Sequence, residues 1–120
     1  MEIWINPACS KCQAATELLD AAGTEYTVRR YLDDPPSAVE LAEVLGRLGL
    51  EPWDLARLKE SVATELGMAD WSRTEADRER WIEAMVAHPV LIQRPILTAA
   101  DGRSAVGRSA EAVRGLLSPG

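Results

Sequence analysis

The chain opens with a short apolar run that gives way to a helical pattern. Residues 3–5, Ile-Trp-Ile, predict a strand, and the Asn6-Pro7 step ends it. Apolar residues then recur at helical spacing until Gly23 predicts a helix end. Residues 25–31 alternate between two faces and predict a second strand. The helical positions are Ala15, Leu18, Leu19 and Ala22.

The middle of the chain is patterned for helices alone. After residues 33–36, Asp-Asp-Pro-Pro, break the strand, Ser37 and Glu40 form a capping-box pattern ahead of a helix that closes near Gly49. A second helical stretch covers residues 53–66. A third begins at Thr74, with Asp77 as its capping partner, and runs to residues 88–89, His-Pro.

The last part of the chain predicts a hairpin and a final helix. Residues 96–98 and 105–106 flank Asp101-Gly102, a turn signal, and Val113, Leu116 and Leu117 mark the helix. The order of elements is therefore strand, helix, strand, a helical segment, hairpin and helix. This order predicts an α/β protein with a helical insertion.

Composition narrows the class of protein. With 120 residues and 47% hydrophobic content, the chain can form one core of ordinary size, so we expect a single domain over residues 1–120. The net charge of −6 disfavours direct binding to nucleic acid or to anionic membranes. We find neither a membrane-spanning apolar run nor a signal-peptide pattern in the sequence, so we expect a cytoplasmic protein.

Both cysteines lie at the predicted start of the first helix. Cys9 and Cys12 are separated by Ser10 and Lys11. The unpaired N–H groups and the positive end of a helix dipole favour an anion there, and Lys11 adds positive charge. The sequence therefore predicts a lowered pKa for the Cys9 thiol and a nucleophilic thiolate.

Three other interpretations of the pair are weaker. Zinc needs about four ligands, and the chain offers two cysteines and one histidine, His88. A disulfide across two residues closes a short loop and constrains the unfolded chain little, so it would be a redox device more than a structural link. Two inert buried thiols remain possible from the sequence, although reducing compartments favour catalytic or sensing roles for close pairs.

Several separated motifs resemble one family. They are Asn6-Pro7-Ala8-Cys9, Tyr31-Leu32 followed by Pro35-Pro36, Glu65-Leu66-Gly67, and residues 88–96, His-Pro-Val-Leu-Ile-Gln-Arg-Pro-Ile. In this order they resemble the glutaredoxin-linked arsenate reductase (ArsC-like) family, within the ArsC/Spx group of thioredoxin-fold proteins. The resemblance implies a thioredoxin-like α/β fold, a mixed central sheet flanked by helices, with a helical insertion between the second and third strands. It also implies a cis peptide bond before Pro95.

The resemblance implies a mechanism as well. Cys9 matches the nucleophile that attacks arsenate, and Arg57, Arg94 and Arg108 match the arginines that bind the oxyanion. No cofactor is bound. The resemblance implies one of two electron donors. One is glutathione or another small thiol together with a glutaredoxin, and the other is a thioredoxin. We expect a monomer whose partners are arsenate and this reductant.

Two positions depart from the family pattern. Ile5 stands ahead of Asn6 where typical members carry a supporting histidine, and Cys12 stands where the best-known reductases lack a cysteine. Cys12 is a candidate resolving thiol, one helical turn from Cys9. It also leaves open an Spx-like redox-sensing regulator that binds RNA polymerase, or a reductase of the same fold with another substrate. Arg108 favours an enzyme, because the usual Spx pattern lacks it.

Overall fold

A computed structural model describes residues 1–117. The described chain divides into two compact units, one formed by residues 1–34 with the chain from Arg94 onward, the other by Pro35–Gln93. The first unit carries a four-stranded sheet in the order β2-β1-β3-β4. Its strands are β1 (Glu2–Ile5), β2 (Thr27–Arg30), β3 (Ile96–Thr98) and β4 (Ser104–Val106).

The sheet is mixed and is packed against two helices. β1 pairs in parallel with β2 and antiparallel with β3, which pairs antiparallel with β4. Helices α1 (Ser10–Ala21) and α6 (Ala110–Leu117) contact each other, and their apolar faces share one core with β1 and β3. A mixed sheet flanked by helices, with a helical segment between β2 and β3, confirms the predicted α/β architecture. The buried core residues are Ile3, Ala15, Leu19, Leu97, Val113 and Leu116.

The second strand is shorter than the predicted residues 25–31. It covers Thr27–Arg30, and the chain turns directly after it because the Arg30 carbonyl accepts hydrogen bonds from the N–H groups of Asp33 and Asp34. Tyr31 therefore leaves the strand. Its side chain is fully buried, whereas three of the four strand residues are exposed.

The second unit consists of helices, as predicted. Helix α2 (Ala38–Leu48) has the expected capping box between Ser37 and Glu40 and ends at Gly49 in the left-handed conformation. The predicted helix over residues 53–66 is wrong as one element, since it is split into α3 (Pro52–Leu55) and α4 (Ser61–Leu66). Ala56 is extended directly after α3, because the backbones of Leu55 and Arg57 hydrogen-bond to residues 91–93.

Helix α5 (Arg78–Ala87) starts later than predicted. Thr74 and Asp77 do not form the expected capping box, because the Thr74 hydroxyl hydrogen-bonds that of Ser72 and residues 75–77 form a short 3-10 turn. Trp81 lies at the centre of this unit, fully buried and in edge contact with the rings of Trp53 and Trp71. Packing around Trp81 explains these tryptophans.

The helices in the described part of the chain include none that is both long enough and apolar enough to span a bilayer.

Candidate active site

The loop between β1 and α1 presents Cys9 as the residue that caps α1. Cys9 is extended, with φ −87° and ψ 122°, and its own N–H donates to the Asn6 carbonyl at 2.9 Å. The Asn6 side chain accepts a hydrogen bond from the Ala8 N–H at 3.0 Å. The side-chain amide of Gln13, one turn into the helix, donates to the Pro7 carbonyl at 3.2 Å. The loop is thereby fixed at both ends, and the Cys9 sulfur is held at the helix start.

The pKa of Cys9 is lowered to about 7, which confirms the predicted lowering. Burial alone would raise the pKa, but hydrogen bonds donated to the Cys9 sulfur outweigh this effect. The donors are the Cys12 N–H, the Arg94 side chain, the Cys12 thiol and the Lys11 N–H. Lys11 contributes through its backbone N–H, and its charged side chain is exposed to solvent. Near neutral pH about half of the Cys9 side chains are thiolates.

Cys12 behaves in the opposite way. Burial, together with the neighbouring Cys9, raises the pKa of Cys12 to about 11. Its side chain is only 1% exposed, and it is hydrogen-bonded to the Cys9 sulfur. Both cysteines are free thiols in the structure. Between pH values of about 7 and 11 the pair therefore combines one anionic and one protonated sulfur in direct contact.

Arg94 supplies the first guanidinium of the site. Burial lowers the pKa of Arg94, but hydrogen bonds to the Cys9 sulfur and to the Tyr31 hydroxyl raise it above its ordinary value. Arg94 stays charged, and it precedes the only cis peptide bond of the described chain, Arg94–Pro95. Tyr31, fully buried, is therefore a positioning residue for Arg94. The sequence offered Tyr31 as a motif residue but gave no sign of this contact.

Arg108 supplies the second guanidinium. Its Nη1 lies 3.9 Å from the Cys9 Sγ and donates to the Arg94 carbonyl at 3.0 Å. Gly107 fixes this approach: its N–H donates to the Pro95 carbonyl at 2.8 Å, and a Cβ there would lie 2.6 Å from the Leu97 Cδ1. The sequence did not identify Gly107, because the need for a missing side chain appears only when β3, β4 and α6 are packed.

Arg57, the third arginine predicted to bind the oxyanion, lies in the helical unit. Its Nε donates to Glu60 at 3.2 Å and its Nη1 to the Gln93 side chain at 2.7 Å. These contacts hold the guanidinium within Pro35–Gln93. Cys9, Cys12, Arg94 and Arg108 are thus brought together in the first unit, and the role of Arg57 stays a prediction.

The arrangement is suited to nucleophilic chemistry on a small anion. Two guanidiniums beside a thiolate can attract an oxyanion and stabilise charge that develops on its oxygens. Within residues 1–117 we find no group of three or more histidine, cysteine, aspartate or glutamate side chains that could hold a metal ion. The reactive groups that the structure brings together here are two sulfurs and two guanidiniums.

Comparison with known proteins identifies similar chains. Residues 4–116 match the model of the ArsC family. The chain is 61% identical over 118 residues to the "Uncharacterized protein in glnII region" of Streptomyces viridochromogenes, covering 98% of this chain and 99% of that one. It is 36% identical to the arsenate reductase of Neisseria meningitidis, covering 98% and 97% of the two chains. The solved structure of an arsenate reductase from Vibrio cholerae superposes with a TM-score of 0.86 at 36% identity, covering 97% and 98%.

Proposed function

Because the chain belongs to the ArsC family, we propose that it is an arsenate reductase-like thiol oxidoreductase with Cys9 as its nucleophile. The observation that carries this proposal is the contact of the Cys9 sulfur with the guanidiniums of Arg94 and Arg108. A thiolate repels an oxyanion, and two adjacent cations offset this repulsion. The bidentate N–H groups of arginine also match the geometry of oxyanion oxygens.

The first chemical step joins sulfur to arsenic. The Cys9 thiolate attacks the arsenic of arsenate and a S–As bond forms. One arsenate hydroxyl takes a proton from solvent, its As–O bond breaks, and it leaves as water. Arg94 and Arg108 stabilise the negative charge on the remaining oxygens.

The second step transfers two electrons to arsenic. The Cys12 sulfur attacks the Cys9 sulfur, the S–S bond forms, and the S–As bond breaks with its electron pair left on arsenic, which becomes trivalent. The Cys12 proton goes to an oxygen of the arsenite product. The hydrogen bond between the two sulfurs supports this role, because the attacking atom already touches its target.

The resulting Cys9–Cys12 disulfide needs an external reductant. A dithiol protein of the thioredoxin type can reduce it by thiol–disulfide exchange. If glutathione attacks the Cys9 adduct before Cys12 does, the product is a mixed disulfide that a glutaredoxin reduces. Either route requires a reducing compartment such as the cytoplasm.

The test is arsenate-dependent turnover with each electron donor in turn. Wild type, Cys9→Ser and Cys12→Ser are assayed with a glutathione–glutaredoxin chain and with a thioredoxin chain. We expect Cys9→Ser to lose all turnover. We expect Cys12→Ser to lose turnover with thioredoxin while retaining part of it with glutathione, because an external thiol can replace the internal one.

Arginine variants refine the test. Arg108→Gln is expected to lower kcat/KM for arsenate by about 100-fold, the usual effect of removing one donor to a developing anion. Arg103→Gln is the matched control, since Arg103 pairs with Asp101 in the turn between β3 and β4. Wild-type turnover in Cys9→Ser would refute the proposal. No arsenate turnover with either donor, together with a reversible Cys9–Cys12 disulfide, would point to a redox-sensing regulator or to another substrate.

A further inference from the structure

The two sulfurs hold different protonation states while in contact. The pKa of Cys9 is lowered to about 7 and that of Cys12 is raised to about 11, and the two side chains are hydrogen-bonded. Between these values a thiolate and a thiol coexist. The pair thus offers a nucleophile, a proton and two reducing equivalents at one place, and none of these is specific to arsenate.

Access to the Cys9 sulfur is narrow. Cys9 is only 9% exposed and Cys12 is 1% exposed. An electrophile of a few atoms can reach the Cys9 sulfur more readily than a protein disulfide, because the chain that surrounds a protein disulfide needs more space. Arg108, itself exposed, places Nη1 3.9 Å from that sulfur. The solvent side of the thiolate is therefore flanked by a cation with several N–H donors.

From this geometry we propose that the site also reduces small hydroperoxides, hydrogen peroxide above all, as a two-cysteine thiol peroxidase. The substrate class differs from the oxyanions of the function proposed above, and the activity does not require arsenate. It uses the same thiolate and the same two guanidiniums, with Cys12 as the resolving thiol.

Oxidation of Cys9 comes first. The thiolate attacks one peroxide oxygen, the S–O bond forms and the O–O bond breaks. The leaving oxygen departs as hydroxide, or as alkoxide from an organic peroxide, and takes a proton from solvent to give water or an alcohol. Negative charge develops on this leaving oxygen, and the N–H groups of Arg94 and Arg108 are placed to stabilise it. Cys9 becomes a sulfenic acid.

Resolution follows within the pair. The Cys12 sulfur attacks the Cys9 sulfur, the S–S bond forms and the S–O bond breaks. The departing hydroxide takes the Cys12 proton and leaves as water. One peroxide has then been reduced by two electrons and one dithiol oxidised to a disulfide. An external dithiol, which in the assay is dithiothreitol, returns the pair to its thiol form.

The experiment measures consumption of hydrogen peroxide at pH 7 with dithiothreitol as reductant and arsenate absent. A thiol with a pKa near 7 reacts about 15-fold faster than free cysteine from its larger thiolate fraction alone. The guanidinium donors should add at least tenfold, giving an expected rate constant about 150-fold above that of free cysteine. A rate constant no more than about 15-fold above free cysteine would overturn the proposal, because the guanidiniums would then contribute nothing.

Variants separate the two steps. Cys9→Ser is expected to lose peroxide consumption. In the absence of dithiothreitol, Cys12→Ser should react once with peroxide, and dimedone should trap its Cys9 sulfenic acid, whereas wild type should instead form the Cys9–Cys12 disulfide. Under the same conditions, a wild-type protein that accumulates the sulfenic acid and no Cys9–Cys12 disulfide would contradict the resolving role assigned to Cys12.

The arginine effect is measured at pH 9, where the thiolate fraction of Cys9 no longer limits the comparison. Arg108→Gln should react with peroxide at least tenfold more slowly than wild type, and Arg103→Gln should match wild type. Equal rates for Arg108→Gln and wild type would remove the guanidinium from the mechanism. Parallel arsenate assays distinguish the two activities: peroxide reduction without arsenate turnover would refute only the function proposed above, and the reverse would refute only the peroxidase.

Discussion

At the scale of single residues, the reactivity of Cys9 depends on which groups donate hydrogen bonds to its sulfur. Two backbone N–H groups come from the start of α1, and one guanidinium comes from Arg94. Any substitution other than proline keeps the backbone donors, whereas replacing Arg94 removes the guanidinium. Arg94 in turn is hydrogen-bonded to Tyr31, a fully buried residue. Tyr31 thus acts on the thiolate through Arg94, which is hydrogen-bonded to both.

Arg94→Gln is predicted to raise the pKa of Cys9 from about 7 toward that of a free thiol, because a cationic donor to the thiolate is lost. Because only the thiolate reacts, a higher Cys9 pKa moves the pH dependence of alkylation to higher pH. The rate of alkylation by iodoacetamide should rise with pH through about 7 in wild type and only at higher pH in the variant. Tyr31→Phe should shift the profile in the same direction by a smaller amount, and Arg103→Gln should leave it unchanged. An unshifted profile in Arg94→Gln would show that Arg94 does not stabilise the thiolate.

The residue scale also shows where sequence reasoning ends. The spacing of Cys9 and Cys12 at a strand-to-helix step predicted a lowered Cys9 pKa, because the helix start is a local feature. The contact of Tyr31 with Arg94 joins residues 63 positions apart in the sequence and depends on tertiary packing. Position in the sequence carried no signal for it without the folded chain.

At the scale of elements, Arg108 is placed by the close packing of β3, β4 and α6 at Gly107. A Cβ at Gly107 would lie 2.6 Å from Leu97 Cδ1 and 3.2 Å from Pro95 Cγ and Val113 Cγ2. Leu97 and Val113 are core residues with little room to move. The glycine therefore connects core packing to the position of a site arginine.

Gly107→Ala is predicted to lower the free energy of unfolding by about 1–3 kcal/mol through overpacking and to weaken the contact of Arg108 with Cys9. Urea denaturation measures the first effect and the alkylation profile the second. Gly115→Ala in α6 is the control, because a Cβ there has open space and alanine favours a helix by up to about 1 kcal/mol. Equal stability of Gly107→Ala and wild type would contradict the packing argument.

Helices whose ends are fixed by nearby residues were predicted well from the sequence. Where prediction and structure differ, contacts between distant residues are the cause. The capping box of Ser37 and Glu40 satisfies its own helix start, so the sequence sufficed for α2. Residues 53–66 carried a helical pattern, yet backbone bonds from Leu55 and Arg57 to residues 91–93 split it. Those partners lie more than thirty positions away, beyond the reach of a periodicity argument.

At the scale of the whole molecule, one chain holds the groups that react in the proposed chemistry, and only the reductant that regenerates the thiols is external. The nucleophile, the resolving thiol and two guanidiniums lie in the unit formed by residues 1–34 and the chain from Arg94 onward. The order of the predicted elements was enough to give this α/β architecture, because the sheet is built from runs that the pattern identified. The prediction of one domain over residues 1–120 stays a prediction.

The oxidised protein is predicted to remain a monomer of 13.1 kDa. Since Cys9 and Cys12 are in contact within one chain, oxidation should close an internal disulfide faster than a bond between chains. Sedimentation velocity on the reduced and the peroxide-treated protein measures this, with non-reducing electrophoresis as a check. A disulfide-linked dimer as the main oxidised product would contradict it.

The most direct measurement is a single turnover of the fully reduced protein with excess arsenate and no external thiol. Two-electron reduction of arsenate by Cys9 and Cys12 should yield one arsenite per protein chain and a Cys9–Cys12 disulfide, seen by mass spectrometry as the loss of two hydrogens. Cys9→Ser should yield neither product. Unchanged thiols and no arsenite from wild type, under conditions where iodoacetamide alkylates Cys9, would contradict the assignment of this site to arsenate reduction.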